Sequence, residues 1–92
     1  DFAIVSLAYA YRMKDGVIED ARIVLGGVAP VPMERKKVEA FLAGRKPDEA
    51  LAEAAAELAV EGTAAMANNS YKIQEVRALI KKMILDMGAV QA

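Results

Sequence analysis

The chain has 92 residues, a formal net charge of −1 from 12 basic and 13 acidic residues, and neither Cys nor His. That length allows one domain with a thin core, and the charge balance excludes the electrostatic footprint of a nucleic-acid binder or of a protein drawn to an anionic membrane. Without Cys and His there are no disulfides, thiol nucleophiles, Fe–S ligation, most zinc sites or His general bases.

Hydrophobic residues make up 55% of the chain, but many are Ala, so the core is less bulky than that share suggests. No apolar run has the length of a membrane span. The first eight residues are apolar but begin with Asp1 and lack the basic stretch of a signal peptide. The missing Cys fits a reducing cytoplasm, the expected location. The chain starts without Met, so a processed, cloned or cut piece of a longer protein is expected.

Residues 2–13 read as a strand. Ala3, Val5, Leu7, Tyr9, Tyr11 and Met13 fall on one face by the period of two, and Phe2, Ile4, Ser6, Ala8, Ala10 and Arg12 on the other. Its first half is apolar on both faces, so cover on both sides is expected. Asp15-Gly16 then signals a tight hairpin turn. Residues 17–25 form the partner strand, with Ala21, Ile23 and Leu25 alternating against Asp20, Arg22 and Val24. Gly26-Gly27 ends it. Pro30 and Pro32 disfavour helix around them and suggest an extended edge segment through Met33.

Three helices follow. The first covers about residues 34–43, with Val38, Phe41 and Leu42 on one side and Gly44 as its stop. The second begins at Pro47, a residue suited to the first helical position, with Asp48 and Glu49 in its first turn. Its expected buried stripe is Ala50, Leu51, Ala54, Ala55 and Leu58, and Gly62 ends it. Residues 63–69 read as a loop of small and polar residues. Ser70 is the expected N-cap of the third helix, whose apolar face carries Ile73, Val76, Ile80, Met83 and Met87. Residues 89–92 read as a frayed tail. The order β-β-(β)-α-α-α implies an α+β fold: an antiparallel sheet of about three strands packed against three helices, in a single domain spanning residues 1–92.

Few residues invite chemistry. Glu19 and Asp20 are adjacent acids, but neighbours on a strand point to opposite faces and make a poor acid/base pair. They read as a solvated strand edge. Gly26-Gly27 matches neither the dinucleotide fingerprint nor the P-loop and reads as a turn. Arg35-Lys36-Lys37 reads as the solvated start of a helix, with an acidic partner as the sharper alternative. Tyr71 can bury its ring with a bonded hydroxyl. Lys72 opposes the helix dipole at a helix start, a hint of a carboxylate or phosphate partner elsewhere. The five Met residues are scattered and read as core filling.

Taken in order, the motifs carry a resemblance. The opening Asp1-Phe2-Ala3-Ile4-Val5-Ser6-Leu7-Ala8 is similar to the start of the C-terminal domain of the carbon monoxide dehydrogenase flavoprotein family, a domain also found in the FAD-binding subunit of xanthine dehydrogenase. The block from Ala21 through Leu25-Gly26-Gly27-Val28-Ala29-Pro30 to Pro32 resembles the family's second strand and the loop after it. Pro47-Asp48-Glu49-Ala50 and Asn69-Ser70-Tyr71-Lys72 fit the same pattern. The resemblance covers nearly the whole chain and implies a structural domain of an FAD subunit that passes electrons from Fe–S clusters to an acceptor. The implied partners are upstream FAD-binding domains together with molybdenum and Fe–S subunits.

The flavin domains and their phosphate loops are not in this chain, so it is expected to bind no cofactor alone, with FAD implied for the full subunit. No catalytic or metal site is expected. Gly26, Gly27, Pro30, Tyr71 and Lys72 are the residues expected at a domain or subunit interface. The alternative function is a free-standing interaction module that uses the exposed side of its sheet around Tyr9 and Tyr11.

Overall fold

The tight turn at Asp15-Gly16 organises the start of the fold. Both residues have positive φ, 55° and 81°, as a primed two-residue hairpin turn requires. In a computed structural model of the chain, which describes residues 6–26, 33–61 and 70–91, this turn joins β1 (Ser6–Lys14) to β2 (Val17–Gly26). The strands pair antiparallel, with Leu7 opposite Leu25, Tyr9 opposite Ile23 and Tyr11 opposite Ala21. A two-residue strand, β3 (Met33–Glu34), pairs antiparallel with the far side of β2, giving the order β1-β2-β3. The helices α1 (Lys36–Leu42), α2 (Glu49–Glu61) and α3 (Ser70–Gln91) follow. The fold is α+β, and the residues 28–32 expected as an extended edge segment lie outside the described ones.

One irregularity shifts the whole turn end of β2. The register slips between Arg12 and Met13, so Arg12 faces Asp20 while Met13 faces Ile18, and Glu19 is left over as a β-bulge. The bulge returns Ile18 to the inner face beside Ala21, Ile23 and Leu25, and all four are buried. Strict alternation would have turned Ile18 outward.

The far edge of β2 is closed by α1 and its flanks. The Ile23 N–H donates to a Glu39 carboxylate oxygen at 2.7 Å, and its C=O accepts from the Arg35 N–H at 2.8 Å. The Ile18 N–H donates to the Arg45 C=O at 2.8 Å, and its C=O accepts from the Gly44 N–H at 2.6 Å. A short helix thus does the work of a longer edge strand by satisfying backbone groups that would otherwise lie open. Gly44 takes φ of 78° to end α1. The helix starts after Arg35 rather than at residue 34, because Glu34 is spent in β3.

Asp48, not Pro47, opens α2. Its Oδ1 accepts from the Leu51 N–H at 2.9 Å, which makes it the N-cap, and Glu49 is the first helical residue. Pro47 sits one residue earlier and is buried. The buried stripe is Leu51, Ala52, Ala55, Ala56 and Ala59; Ala50 and Ala54 are exposed and Leu58 is half-buried. The stripe is rotated by about one residue from expectation because α2 packs against both α1 and α3. A face that is mostly Ala cannot choose between neighbouring rotations by itself.

Helix α3 supplies the bulky half of the core, with Val76, Ile80, Met83, Ile84 and Met87 buried. Ile73 is half-buried. Ser70 is the first helical residue rather than the cap, and helix continues to Gln91 where a frayed tail was expected. Ion pairs run between α2 and α3, from Arg77 to Glu57 at 3.0 Å and from Lys81 to Glu53 at 3.2 Å. Being exposed on at least one side, such pairs add little stability; the apolar seam beneath them dominates. All three helices lie on one side of the sheet. The cover expected on both faces of the strand's first half falls mostly on residues 2–5, outside the described ones; from Ser6 onward the second face is open, with Ser6, Ala8, Ala10 and Arg12 exposed.

Candidate docking surface

The open sheet face carries the small side chains of Ala8, Ala10 and Val24 beside Arg22, around a shallow depression of about 370 Å3 that extends to Tyr9 at the sheet margin. Such a face is accessible to backbone-close packing. Its turn end is charged. Arg12 Nε lies 3.1 Å from Asp20 Oδ2 and 3.8 Å from Glu19 Oε1, and a second Arg12 nitrogen also bonds Asp20. The bulge therefore overturns the expectation that Glu19 and Asp20 point apart: it brings both to one guanidinium. The hydrogen bond from Arg12 lowers the Asp20 pKa below its ordinary value, and Asp20 in turn raises that of Arg12. A carboxyl held more acidic than usual is poorly suited to proton transfer near neutral pH.

This has a measurable consequence. Arg12→Gln is expected to raise the Asp20 titration midpoint toward the ordinary carboxylate range, read by NMR. In the unaltered chain the folded-state pKa is the depressed one. The pair's contribution is therefore present above the unfolded-state pKa and is lost as pH falls through the folded-state value. An unmoved midpoint in the variant would show that the pair does not form in solution.

On the helix side, Tyr9 and Tyr11 stack with ring centroids 6.1 Å apart. These tyrosines belong to the helix-covered side of the sheet, not its open side: Leu7, Tyr11 and Met13 pack against the core, and Tyr9 remains 41% exposed at its margin. A small cavity of about 180 Å3 lies there between Leu7, Tyr9, Leu79, Lys82, Met83 and Asp86. Lys82 and Asp86 pair at 2.9 Å one helical turn apart, and that contact raises the Lys82 pKa.

Arg35-Lys36-Lys37 lines a cavity of about 400 Å3 with Glu34, Leu58 and Glu61. Lys36 and Lys37 are exposed, as expected for a solvated helix start. Arg35 behaves differently, since its Nη2 donates to the Ala59 C=O at 2.9 Å and ties α1 to α2. Two further side chains went unnoticed in the sequence. Glu39 caps the β2 backbone. Arg45 lies 4.5 Å over the Phe41 ring while its Nε donates to the Phe41 C=O. The Glu39 contact has no local sequence signal, because it joins residues whose meeting depends on where the chain turns; Phe41 and Arg45 stand four apart at the end of α1, a spacing the sequence does display.

Of the five residues expected at an interface, Gly26 ends β2 opposite Ser6, where an added Cβ would stand 2.7 Å from the Ser6 Oγ. Gly27 and Pro30 lie outside the described residues. Tyr71 and Lys72 fall in the first turn of α3, with side chains outside the described part. Among the described residues no three metal-ligating side chains cluster, and no helix is long and apolar enough to cross a membrane.

A search of curated protein sequences returns no match. Among solved structures, the crystal structure of quinoline 2-oxidoreductase from Pseudomonas putida 86 superposes with a TM-score of 0.80 at 28% identity, over 97% of this chain. The match takes in 33% of that protein's chain, so this chain spans about a third of its length. Residues 1–87 match the model of the CO dehydrogenase flavoprotein C-terminal domain. With a family match over nearly all of its length and the same fold in a solved relative, the chain belongs to the CO dehydrogenase flavoprotein C-terminal domain family.

Proposed function

We propose that this chain acts as the structural C-terminal domain of the FAD-binding subunit of a molybdenum-hydroxylase-type oxidoreductase, in a subunit that relays electrons from Fe–S clusters through FAD to an acceptor. The family match over residues 1–87 carries this reading. The domain's part is to pack, not to react. Its open sheet face of Ala8, Ala10 and Val24, with its shallow depression, offers a small-side-chain surface to the FAD-binding domains. The described ionisable groups with shifted pKa, Arg12, Asp20 and Lys82, are exposed ion-pair partners, the shifts arising from those pairs rather than from burial. FAD belongs to the full subunit on this reading, and the molybdenum and Fe–S centres to its partners.

The test is to precipitate the native product from its source cells with antibody against this chain. A product much heavier than 9.9 kDa, or a tight complex, carrying flavin is the expected result. The isolated chain is expected to leave FAD fluorescence unquenched. A native product near 9.9 kDa without an associated flavoprotein would overturn the proposal in favour of a free-standing interaction module.

A further inference from the structure

The outer edge of β1 is self-complementary, and we propose that it pairs antiparallel with the same edge of a second copy of this chain. The strand is nine residues long, contains neither Pro nor Gly, and stands at the end of the sheet. The irregularity that could have blunted an edge lies on β2 instead. None of the described residues pairs with this side of β1.

The direction of its backbone groups follows from those of β2. Ile18 and Ile23 aim their N–H and C=O away from β1, toward α1 and its flanks. Residues directly opposite in an antiparallel ladder share that orientation. Met13 and Tyr9, the partners of Ile18 and Ile23, therefore aim theirs at the open edge, and by alternation so do Leu7 and Tyr11.

A two-fold axis through Ala10 uses every one of those groups. It sets Tyr9 of one copy opposite Tyr11 of the other in a hydrogen-bonded pair, and Leu7 opposite Met13 likewise. On the second face Ala8 meets Arg12, Ser6 meets Lys14 and Ala10 meets itself, so no like charges oppose each other. Shifting the register by two residues either way leaves part of the described strand overhanging. An isologous contact of this kind closes on itself and stops at a dimer. It would also cover Tyr9, one of two large apolar side chains left exposed among the described residues. The aromatic pairs supply the side-chain contribution and the backbone ladder fixes the register.

The chain's lack of Cys makes the register directly testable. Ala10→Cys places two thiols at a non-hydrogen-bonded pair, with Cα atoms about 4.5 Å apart, within the range a disulfide spans. Mild oxidation with glutathione disulfide is expected to cross-link Ala10→Cys rapidly, and Ala8→Cys and Arg12→Cys slowly or not at all. Sedimentation velocity on the Cys-free chain is expected to show a dimer that dissociates on dilution. Tyr9→Lys, at an exposed position, should weaken it about tenfold, because symmetry removes two aromatic pairs at once. Circular dichroism confirms that the variant folds. A monomer at all concentrations overturns the proposal, as does equal cross-linking at all three positions or a dimer that Tyr9→Lys leaves unchanged.

Discussion

Ile80→Ala is expected to destabilise the domain by about 2–5 kcal/mol, the range for truncating a fully buried aliphatic side chain. Ile80 has no exposed surface and lies at the middle of α3, whose buried residues form one cluster with those of β2, α1 and α2. The lost side chain leaves a cavity, and the buried face of α2, against which α3 packs, is mostly Ala (Ala52, Ala55, Ala56 and Ala59), which has no rotamers with which to reach across. For a domain of this size each kcal/mol moves the melting temperature by about 4–8 °C. A fall of about 10 °C or more in a thermal melt is therefore the expected reading. Leu85→Ala is the internal control: Leu85 is 44% exposed on the same helix, and its loss should change stability by no more than about 0.5 kcal/mol. Equal effects at the two positions would mean that α3 does not pack by the face described.

Gly88→Ala is expected to destabilise as well, against helix propensity. Alanine is favoured over glycine in a helix interior by about 1 kcal/mol, so propensity alone forecasts a gain. The geometry opposes it. A Cβ at residue 88 would stand 2.6 Å from the Pro47 carbonyl oxygen, a backbone atom held by the turn into the Asp48 cap. Overpacking of this kind costs about 1–3 kcal/mol, and with fixed backbone on both sides the upper part of that range applies. A net loss of about 1–2 kcal/mol in chemical denaturation is expected. A more stable variant would show that α3 stands farther from the residue 47 turn.

These two positions mark a division that runs through the molecule. Ile80 was legible in the sequence, since the spacing of Val76, Ile80, Met83 and Met87 makes an apolar helical stripe whatever it packs against. Gly88 was not, because its role arises from Pro47, far away in the chain, which only the packing of the helices brings near. The candidate interface shows the same split. The family likeness lay in the strand, loop and helix-start motifs, which are contiguous in the chain. Whether Gly27, Pro30, Tyr71 and Lys72 share one surface is a question of placement that no spacing answers.

Local rules determined a good deal here. The hairpin was settled by Asp15-Gly16, since few other residues tolerate positive φ twice in succession. The inner face of β2 was settled by the alternation of Ala21, Ile23 and Leu25, and the α+β order by two strands followed by three helical patterns. Tertiary structure decided the remainder. The bulge at Glu19 turned Ile18 inward and gathered Glu19 and Asp20 onto Arg12, an outcome set by the fit of β2 against α1 rather than by any residue in the strand. The rotation of α2 was chosen by α1 and α3, because a helix with Ala on most sides presents nearly equal faces to the core. The sheet was left open on one side because every helix packs on the other, and the apolar pattern of β1 reads the same whether its second face meets a helix, another domain or solvent.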